Sequence, residues 1–389
     1  MSRGLRVVLV IRAGDLAPVD QETGYERVLV VPEGIGAADV LGRLETYGIP
    51  REFVRACVAF HDNYHELALS TCELLGLRYP FAPEGIRLTK DKDRAREIAN
   101  RISSRPVAAV RFHAVDESVR ALLNSGAPAF VAKPLNGSGS RSVRAVRDES
   151  ELAVHLASSE YAGPWLLEEW ITGDEYSVEA FSTKGQHHVL GVTEKHKFTG
   201  TLVEREHRFG RLPDAGRERA IREFTTALLD AVGVTDGPTH TEVLVNDEGV
   251  FLVESHCRIG GDYIWALVEQ GTGLNLDELM AAQCLGEPIV LDPPEFPRGV
   301  GVVRYVHVHT PGGVIERIDG LEAARALPGV TALDVAIGPG RPTVPLTESS
   351  SRNLVVVVHE DTREEALGTC AKALSRIDIE VGITPSYRE

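Results

Sequence analysis

The stretch at residues 239–261 constrains the fold and function of this chain more than any other. It contains two runs rich in Val, Leu and Phe, at 240–246 and 250–254. The short loop between them ends in Gly249, which is typical of a β-hairpin. We therefore expect two adjacent antiparallel strands here.

The register of this hairpin would bring two acidic side chains together. If Asn246 pairs with Val250, Glu242 falls directly opposite Glu254. Opposed side chains have Cβ atoms roughly 5 Å apart, and like charges there are destabilising. A shared proton or a divalent cation would explain the pair, since Mg²⁺ usually binds through one or two carboxylates plus substrate phosphates. The alternative is a surface hairpin with two solvated carboxylates.

The residues after Glu254 continue the same face of the predicted strand. His256 lies two positions further on and shares that face if the strand continues. Arg258 precedes Gly260 and Gly261, where the backbone can approach a ligand closely.

Composition indicates a globular chain without a basic footprint. The 389 residues are 43% hydrophobic and 25% charged, with a net charge of −16. This length allows two or three domains. The acidic balance argues against nucleic acid or an anionic membrane as a partner, although a small site can still be locally positive.

The cysteines and the apolar runs suggest a cytoplasmic protein. The five cysteines are odd in number and lack metal-ligand spacing, which is typical of free thiols in a reducing compartment. No apolar run approaches the roughly 20 residues of a membrane span. Residues 1–11 lack a small-residue cleavage site, so no signal peptide is expected.

The N-terminal region reads as a βαβ domain. Strands are expected at 5–11, 28–32 and 52–60, and a helix at 65–75 that ends at Gly76. No Gly-x-Gly-x-x-Gly motif follows the first strand, so a nicotinamide-type dinucleotide site is not expected.

Two lysines precede segments that suit phosphate binding. Lys92 lies in the charged run at 90–96, which opens a predicted helix, and Lys133 ends an apolar strand. The small residues of the loop that follows include Ser138, Gly139 and Ser140. Successive backbone N–H groups in such a loop form an anion nest. The alternatives are a solvated charged turn and a flexible hairpin tip.

Residues 164–183 read as strand, short loop and strand. Apolar residues flank Glu168 and Glu169, and a strand end of this kind can hold an adenine. Glu175 could then accept from ribose hydroxyls. The alternative is a pair of ordinary acids on an edge strand.

The remaining segments carry fewer signals. Residues 187–209 are rich in His and Lys, and some of Lys195, Lys197 and His207 are candidates to face phosphates or substrate. Further helices are expected at 217–232, 264–271 and 276–285. After a Pro-rich linker at 293–298, strands at 299–308, 331–337 and 353–359 and a helix at 362–377 form a small domain with a structural role.

Taken in chain order, these motifs resemble the ATP-grasp superfamily. The resemblance implies an α/β and α+β fold in three parts: a Rossmann-like pre-grasp domain at 1–89, an ATP-grasp domain at 90–294, and a C-terminal α+β domain at 295–389. The last resembles the biotin-carboxylase-like tail.

The resemblance also implies a role for each motif. The positions matched are Lys92 and Lys133 for the ATP phosphates, Ser138, Gly139 and Ser140 for the flexible lid, Glu168, Glu169 and Ile171 for adenine, and Glu175 for ribose. Glu242 and Glu254 match ligands of Mg²⁺, with Mn²⁺ as an alternative. Arg258 matches an arginine near the transferred phosphoryl group, so Arg258 and Lys133 are the catalytic candidates.

Two positions depart from the family pattern. His256 stands where the family often has an Asn metal ligand, and imidazole suits hard Mg²⁺ less well than oxygen. Three roles for His256 therefore stay open: ligand of the metal, contact to the substrate, or packing residue. Ser142 stands where the lid often carries Gly.

The resemblance implies a ligase that uses ATP to join a small-molecule carboxylate to an amine through an acylphosphate. The layout and residues 254–261 look most like the L-amino acid (dipeptide) ligases, which are often dimers. Two alternatives stay open: a carboxyphosphate- or formylphosphate-forming enzyme, and a non-catalytic ATP-binding regulator.

Overall fold

The computed structural model of the protein describes residues 4–13, 25–136 and 141–383. Two units emerge from the internal contacts. One comprises Met1–Pro80 with Cys284–Glu287, and the other Phe81–Gln283 with Pro288–Glu389. The predicted boundaries after residues 89 and 294 both fall inside the second unit, and they stay predictions about separate domains.

The first unit contains a two-stranded parallel sheet with helices. Strands β1 (Val8–Arg12) and β2 (Arg27–Val31) pair in parallel, as the two short apolar runs predict. Helices α1 (Ala37–Thr46) and α2 (His65–Leu75) follow. Helix α2 ends at Gly76, whose φ of 65° is the left-handed conformation that commonly closes a helix.

The predicted strand at 52–60 is wrong. The chain forms a short 3₁₀ turn at Arg51–Phe53 and then runs without a strand partner. Phe53 and Phe60 are 69% and 60% exposed. Strand formation depends on packing against cross-strand neighbours, and this segment gains none.

The second unit begins with four helices and a four-stranded antiparallel sheet. Its helices are α3 (Pro83–Lys90), α4 (Lys92–Ala99), α5 (Glu117–Leu123) and α6 (Glu149–Ser158). Its strands are β3 (Ala109–Phe112), β4 (Phe130–Pro134), β5 (Arg144–Val146) and β6 (Trp165–Glu169), in the order β3-β6-β4-β5. Asp91 caps α4 by accepting from the backbone N–H of Arg94, so the predicted helix starts at Lys92.

One face of this small sheet is apolar and the other is charged. Phe130, Ala132 and Leu167 are fully buried in one core cluster. The alternate residues Lys133 and Glu168 project to the opposite side, as the two-residue period of a strand requires. Val131 pairs with Glu168 in the register, which makes Lys133 its diagonal neighbour.

An eight-stranded antiparallel sheet forms the rest of the framework. Its strands are β7 (Asp174–Thr183), β8 (Gln186–Lys197), β9 (Glu204–Phe209), β10 (Gly237–Asn246), β11 (Gly249–His256), β12 (Val300–Val306), β14 (Val330–Val335) and β15 (Leu354–Glu360). They pair in the order β11-β10-β7-β8-β9-β12-β15-β14. The pairing of β9 with β12 joins the nucleotide-motif region to the C-terminal region in one continuous sheet.

The remaining elements pack around this sheet. They are α7 (Ala215–Ala231), α8 (Ile264–Thr272), α9 (Leu276–Cys284), α10 (Leu321–Arg325), α11 (Arg363–Leu374) and the paired strands β13 (Gly313–Asp319) and β16 (Asp378–Ile383). Thr362 and Glu365 form a reciprocal capping box at the start of α11. The helices predicted after residues 217, 264, 276 and 362 are therefore present.

Strands β8 and β9 were not anticipated from the sequence. The segment at 187–209 reads as polar because its His and Lys residues interrupt the apolar pattern. In the fold Lys195 and Lys197 lie on one face of β8 and pair with Glu175 of β7. All five cysteines carry free thiols. In the part of the chain that the structure describes, no helix is both long enough and apolar enough to cross a membrane.

Candidate active site

A cavity of about 530 Å³ lies between the small sheet and the first strands of the large sheet. That volume is within the range usual for ligand pockets, about 300–1,000 Å³. Helix α4 and strands β4 and β6 contribute one side, which we call the basic wall: Lys92, Arg96, Lys133 and Glu168. Strands β7 to β11 contribute the other side, which we call the acidic wall: Glu175, Lys195, Lys197, Glu204, Glu242 and Glu254.

The predicted opposition of Glu242 and Glu254 is present, but it is reached by a different register. At the hairpin end Asn246 pairs with Gly249 instead of Val250. A β-bulge then inserts Val253 as an extra residue on β11, and beyond it Glu242 pairs with Glu254. The bulge compensates for the one-residue difference between the predicted and the observed register at the hairpin end, so both carboxylates reach the same face.

Each of these carboxylates is held by a histidine. His240 and His256 are cross-strand partners two residues further along the hairpin, with stacked rings whose centroids are 6.4 Å apart. His240 contacts Glu242 at 3.1 Å and Glu179 at 2.7 Å. His256 Nε2 lies 3.1 Å from Glu254 Oε1. His256 therefore lies beside an acid in this structure.

The surroundings keep these acids ionised. Burial alone would raise the pKa of Glu254, but the neighbouring His256 outweighs it and lowers the pKa to about 2. For Glu242, burial is likewise outweighed by Lys195 and His240, and its pKa lies well below the usual value. Burial would lower the pKa of His240, yet Glu179 and Glu242 raise it to about 9.

Lys195 is the cationic centre of the acidic wall. Its Nζ lies 2.5 Å from Glu242, 3.0 Å from Glu175 and 3.2 Å from Glu204. Burial opposes its charge, but these three carboxylates hold its pKa well above the usual value. Lys197 adds a contact of 2.5 Å to Glu175. Glu175, the predicted ribose acceptor, is thus paired with two lysines.

The basic wall is organised around a single buried acid. Glu168 lies 2.9 Å from Arg96 Nε and 2.5 Å from Lys133 Nζ. Burial would raise the pKa of Glu168, but the two cations lower it. Lys133 also donates to the backbone carbonyl of Val253 at 3.3 Å. Lys92 reaches across to Glu254 at 3.7 Å.

Glu169, which follows Glu168 at the end of β6, pairs with an arginine and not with these lysines. Arg105 binds both carboxylate oxygens of Glu169, at 2.8 and 3.0 Å. Ile171 is buried beside Phe251. Apolar residues that line the same part of the cavity are Val131, Trp170, Ile171, Leu244 and Leu252. A flat apolar ring system could lie against these side chains.

Several predicted residues lie elsewhere. His256 and Arg258 are outside the cavity lining; Arg258 Nη1 donates to the carbonyl of Ile259 at 3.0 Å. Ser138, Gly139 and Ser140 lie outside the described residues. Within the described ranges, 4–13, 25–136 and 141–383, no three His, Cys, Asp or Glu side chains converge as a metal site.

Ser142, the departure from the expected lid glycine, takes a glycine-like conformation. Its φ is 56°, in the left-handed region that non-glycine residues seldom adopt. His155 bonds to its carbonyl at 3.0 Å, and Ser159 donates to its hydroxyl at 3.1 Å. These contacts offset the backbone cost of a serine at this position.

Sequence reasoning missed Arg96 and left Lys195 undecided. Arg96 lies four residues after Lys92, so the two share a helix face, and that spacing was a usable signal. For Lys195 the signal was weaker, because its place on the inner face follows from strand β8, which was not predicted.

Family comparisons agree with this arrangement. Residues 127–265 match the ATP-grasp domain. Residues 306–382 match L-amino acid ligase C-terminal domain 2. The two matches cover the motif-bearing strands and the C-terminal region, in the order predicted.

Three proteins illustrate what the chain is similar to. The chain is 29% identical over 267 residues to the uncharacterized protein y4rH of Sinorhizobium fredii, covering 65% of this chain and about half (53%) of that relative. It is 27% identical over 263 residues to D-alanine–D-alanine ligase B of Pseudomonas syringae pv. tomato, covering 63% of this chain and 78% of the ligase. The crystal structure of L-amino acid ligase from Bacillus licheniformis superimposes with a TM-score of 0.79 at 20% identity, covering 97% and 93% of the two chains.

Residues 127–265 contain most of the strands around the charged cavity and form an ATP-grasp domain. The chain also carries L-amino acid ligase C-terminal domain 2, at residues 306–382. The predicted family and fold class are thereby confirmed.

Proposed function

We propose that this protein uses ATP to join a carboxylate substrate, an amino acid, to an amine, and releases ADP and phosphate. One observation carries the proposal: Glu242 and Glu254 face each other at a cavity that also holds Lys92 and Lys133. Two ionised acids beside two lysines suit a metal-bound polyphosphate. The match to a ligase C-terminal domain supports the choice of reaction.

The two walls suggest how the nucleotide lies. The adenine would rest against the apolar lining at Leu244 and Leu252, with the backbone of residues 169–171 at its edge. Because Arg96 and Lys133 bind the Glu168 carboxylate, we assign Glu168 to orienting these cations. Lys92 and Lys133 would hold the phosphates, and Glu175 would lie by the ribose.

The donor set fits a hard cation. Glu242 and Glu254 supply carboxylate oxygens from adjacent strands, and both are kept ionised. Mg²⁺ in such sites commonly completes its shell with water and substrate phosphates. When bound, it would neutralise phosphate charge; we assign His256 to orienting Glu254.

The residues supply positioning and charge for two steps. In the first, a carboxylate oxygen of the substrate attacks the γ-phosphorus, the bond to ADP breaks, and an acylphosphate forms. In the second, the amine attacks the acyl carbon, loses a proton, and phosphate leaves. Phosphoryl transfer is catalysed mainly by positioning and charge neutralisation, which Lys92, Lys133 and Arg258 provide in this proposal.

Holding the reactants together accounts for a large share of the expected rate. Aligning two reactants can contribute about 7–11 kcal/mol as effective molarity. A water-excluding cavity would also protect the acylphosphate from hydrolysis. No Ser or Cys nucleophile is needed for this route.

The test is phosphate release with ATP, Mg²⁺ and amino acids offered singly and in pairs, followed by mass spectrometry. Release that requires a particular pair, with a product lighter than the sum of the pair by one water, would establish the ligase. Release that needs only bicarbonate or formate would instead identify a carboxyphosphate- or formylphosphate-forming enzyme. ATP binding without release under any of these conditions would contradict the proposal.

A further inference from the structure

The turn after the glycine pair adopts a backbone conformation that its side chains disfavour. Asp262 and Tyr263 have φ of 53° and 63°. The N–H of Ile264 donates to the carbonyl of Gly261 at 2.9 Å, which closes a type I′ turn. Such turns are dominated by Gly, Asn and Asp, and a bulky residue at positive φ is an outlier. Surrounding contacts must therefore hold the turn.

Asp262 is held by an arginine from the C-terminal region. Arg352 binds its two carboxylate oxygens through Nη1 and Nη2, at 3.0 and 2.8 Å. The Arg352 guanidinium also lies 3.5 Å from the centre of the Tyr305 ring. His207 Nε2 contacts the same carboxylate at 3.4 Å. A two-point bond of this kind fixes orientation as well as distance.

Tyr263 has a second, separate anchor. Its hydroxyl donates to the carboxylate of Asp334 on β14, and its ring stacks on Trp265 with centroids 6.2 Å apart. Each of the two strained residues is thus tied to a different side chain of the C-terminal region. Both Arg352 and Asp334 lie within the segment that matches the L-amino acid ligase C-terminal domain.

Gly260, the residue just before the turn, packs closely against the side chains that support Glu242. A Cβ at Gly260 would lie 2.6 Å from Glu179 Oε2 and 3.0 Å from His240 Nδ1. These are the groups that orient Glu242. Arg258 precedes this contact by two residues. A shift of the turn would therefore move both Arg258 and the support of Glu242.

We propose that Arg352 and Asp334 are positioning residues, through which the C-terminal region holds the turn at 261–264 and aligns the loop at 258–261 with the reaction centre. This inference rests on the proposed function, because it assigns Arg258 and Glu242 to the ligation. It gives the C-terminal region a part in catalysis beyond completing the sheet.

The sharpest test compares two substitutions that remove the same carboxylate. Asp262→Ala loses the anchor and keeps the strain, whereas Asp262→Gly loses the anchor but permits positive φ freely. Misplacement of about 1 Å can reduce the rate by about 10²-fold, so kcat should fall to that extent in Asp262→Ala. Asp262→Gly should retain about tenfold more activity than Asp262→Ala.

Arg352 is tested by loss and rescue. Arg352→Ala should lower kcat by about 10²-fold with little change in the KM for ATP. Adding Asp262→Gly should restore part of that loss, because the turn then no longer needs its anchor. Tyr263→Phe should have a smaller effect of the same kind. Arg317→Ala is the matched control, since its partners Asp319 and Glu380 are exposed.

Hydrogen exchange of the intact protein gives a readout that does not depend on activity. Faster exchange at residues 258–264 in Arg352→Ala, and not in Arg317→Ala, would support the anchor even if the proposed ligation failed in the wild type. Equal activity of Asp262→Ala and Asp262→Gly would overturn the proposal and indicate that the carboxylate itself meets substrate. Unchanged exchange and unchanged kcat in Arg352→Ala would overturn it as well.

Discussion

The two walls of the cavity contain the same residue types in opposite proportions. The basic wall has three cations, Lys92, Arg96 and Lys133, and one acid, Glu168. The acidic wall has four carboxylates and two lysines, Lys195 and Lys197. A metal-bound polyphosphate presents anionic oxygens to one side and a cation to the other. Such a ligand therefore fits between one wall with excess positive charge and one with excess negative charge.

The walls also differ in whether they bring like charges together. Glu168 is a single buried acid between two cations from α4 and β4. Glu242 and Glu254 also have cationic partners, Lys195 and His256, but they oppose each other as like charges on one face. Breaking a satisfied buried pair affects folding, whereas a pair of like charges held together by the fold is typical of a functional site. We expect substitutions on the two walls to have different consequences.

The largest effect is expected on the acidic wall. Glu254→Gln keeps the shape of the side chain but removes the charge that would bind the metal, and kcat/KM should fall by about 10³-fold. Steady-state ADP formation measures this. Glu248→Gln, an exposed acid at the tip of the same hairpin, is the control. Normal turnover in Glu254→Gln would remove the metal assignment.

On the basic wall the expected loss is one of stability. Arg96→Met leaves Glu168 buried with one partner fewer, which should lower the free energy of unfolding by about 3–5 kcal/mol. Urea denaturation measures this loss. Arg94→Met is the matched control, because Arg94 lies on the same helix with its side chain 60% exposed. Equal unfolding free energies of the two variants would contradict the proposal that the basic wall stabilises the fold.

The pH dependence of stability should report on Glu168. Its pKa is lowered in the folded protein, so its contribution is present above the usual pKa of 4.5 and is lost as the pH falls below it. Unfolding free energies between pH 7 and pH 3 should decline in the wild type. The decline should be shallower in Glu168→Gln, and parallel curves for the two proteins would contradict the assignment.

The smallest effect is expected at Lys197. This lysine is 30% exposed and shares Glu175 with the more buried Lys195. Because partly exposed ion pairs contribute up to about 1 kcal/mol, Lys197→Met should raise the KM for ATP no more than about fivefold. Kinetics at varied ATP concentration decide it, and a change as large as that of Glu254→Gln would mean that the acidic wall depends on each of its lysines.

Local patterns predicted the framework of the site well. The helix starting at Lys92 follows from its Asp91 cap, and the turn at Gly249 identified the acidic hairpin. The opposition of Glu242 and Glu254 was predicted with an incorrect register, and the bulge at Val253 supplied the missing residue. Because residues 250–253 are all apolar, the extra residue does not show in their hydrophobic pattern, and its position could not be predicted.

The sequence by itself therefore determined which segments carry chemistry, because caps, turns and alternating strands depend on neighbours a few residues away. Only the tertiary structure decided which charged side chains pair with each other. Arg96 meets Glu168 across 72 residues, and Arg352 meets Asp262 across 90. Such pairs form only when separate strands and helices converge. The strength of these ion pairs depends on how deeply they are buried. Hydrophobic periodicity indicates which face of an element is buried, but it does not indicate the burial of an individual charged atom.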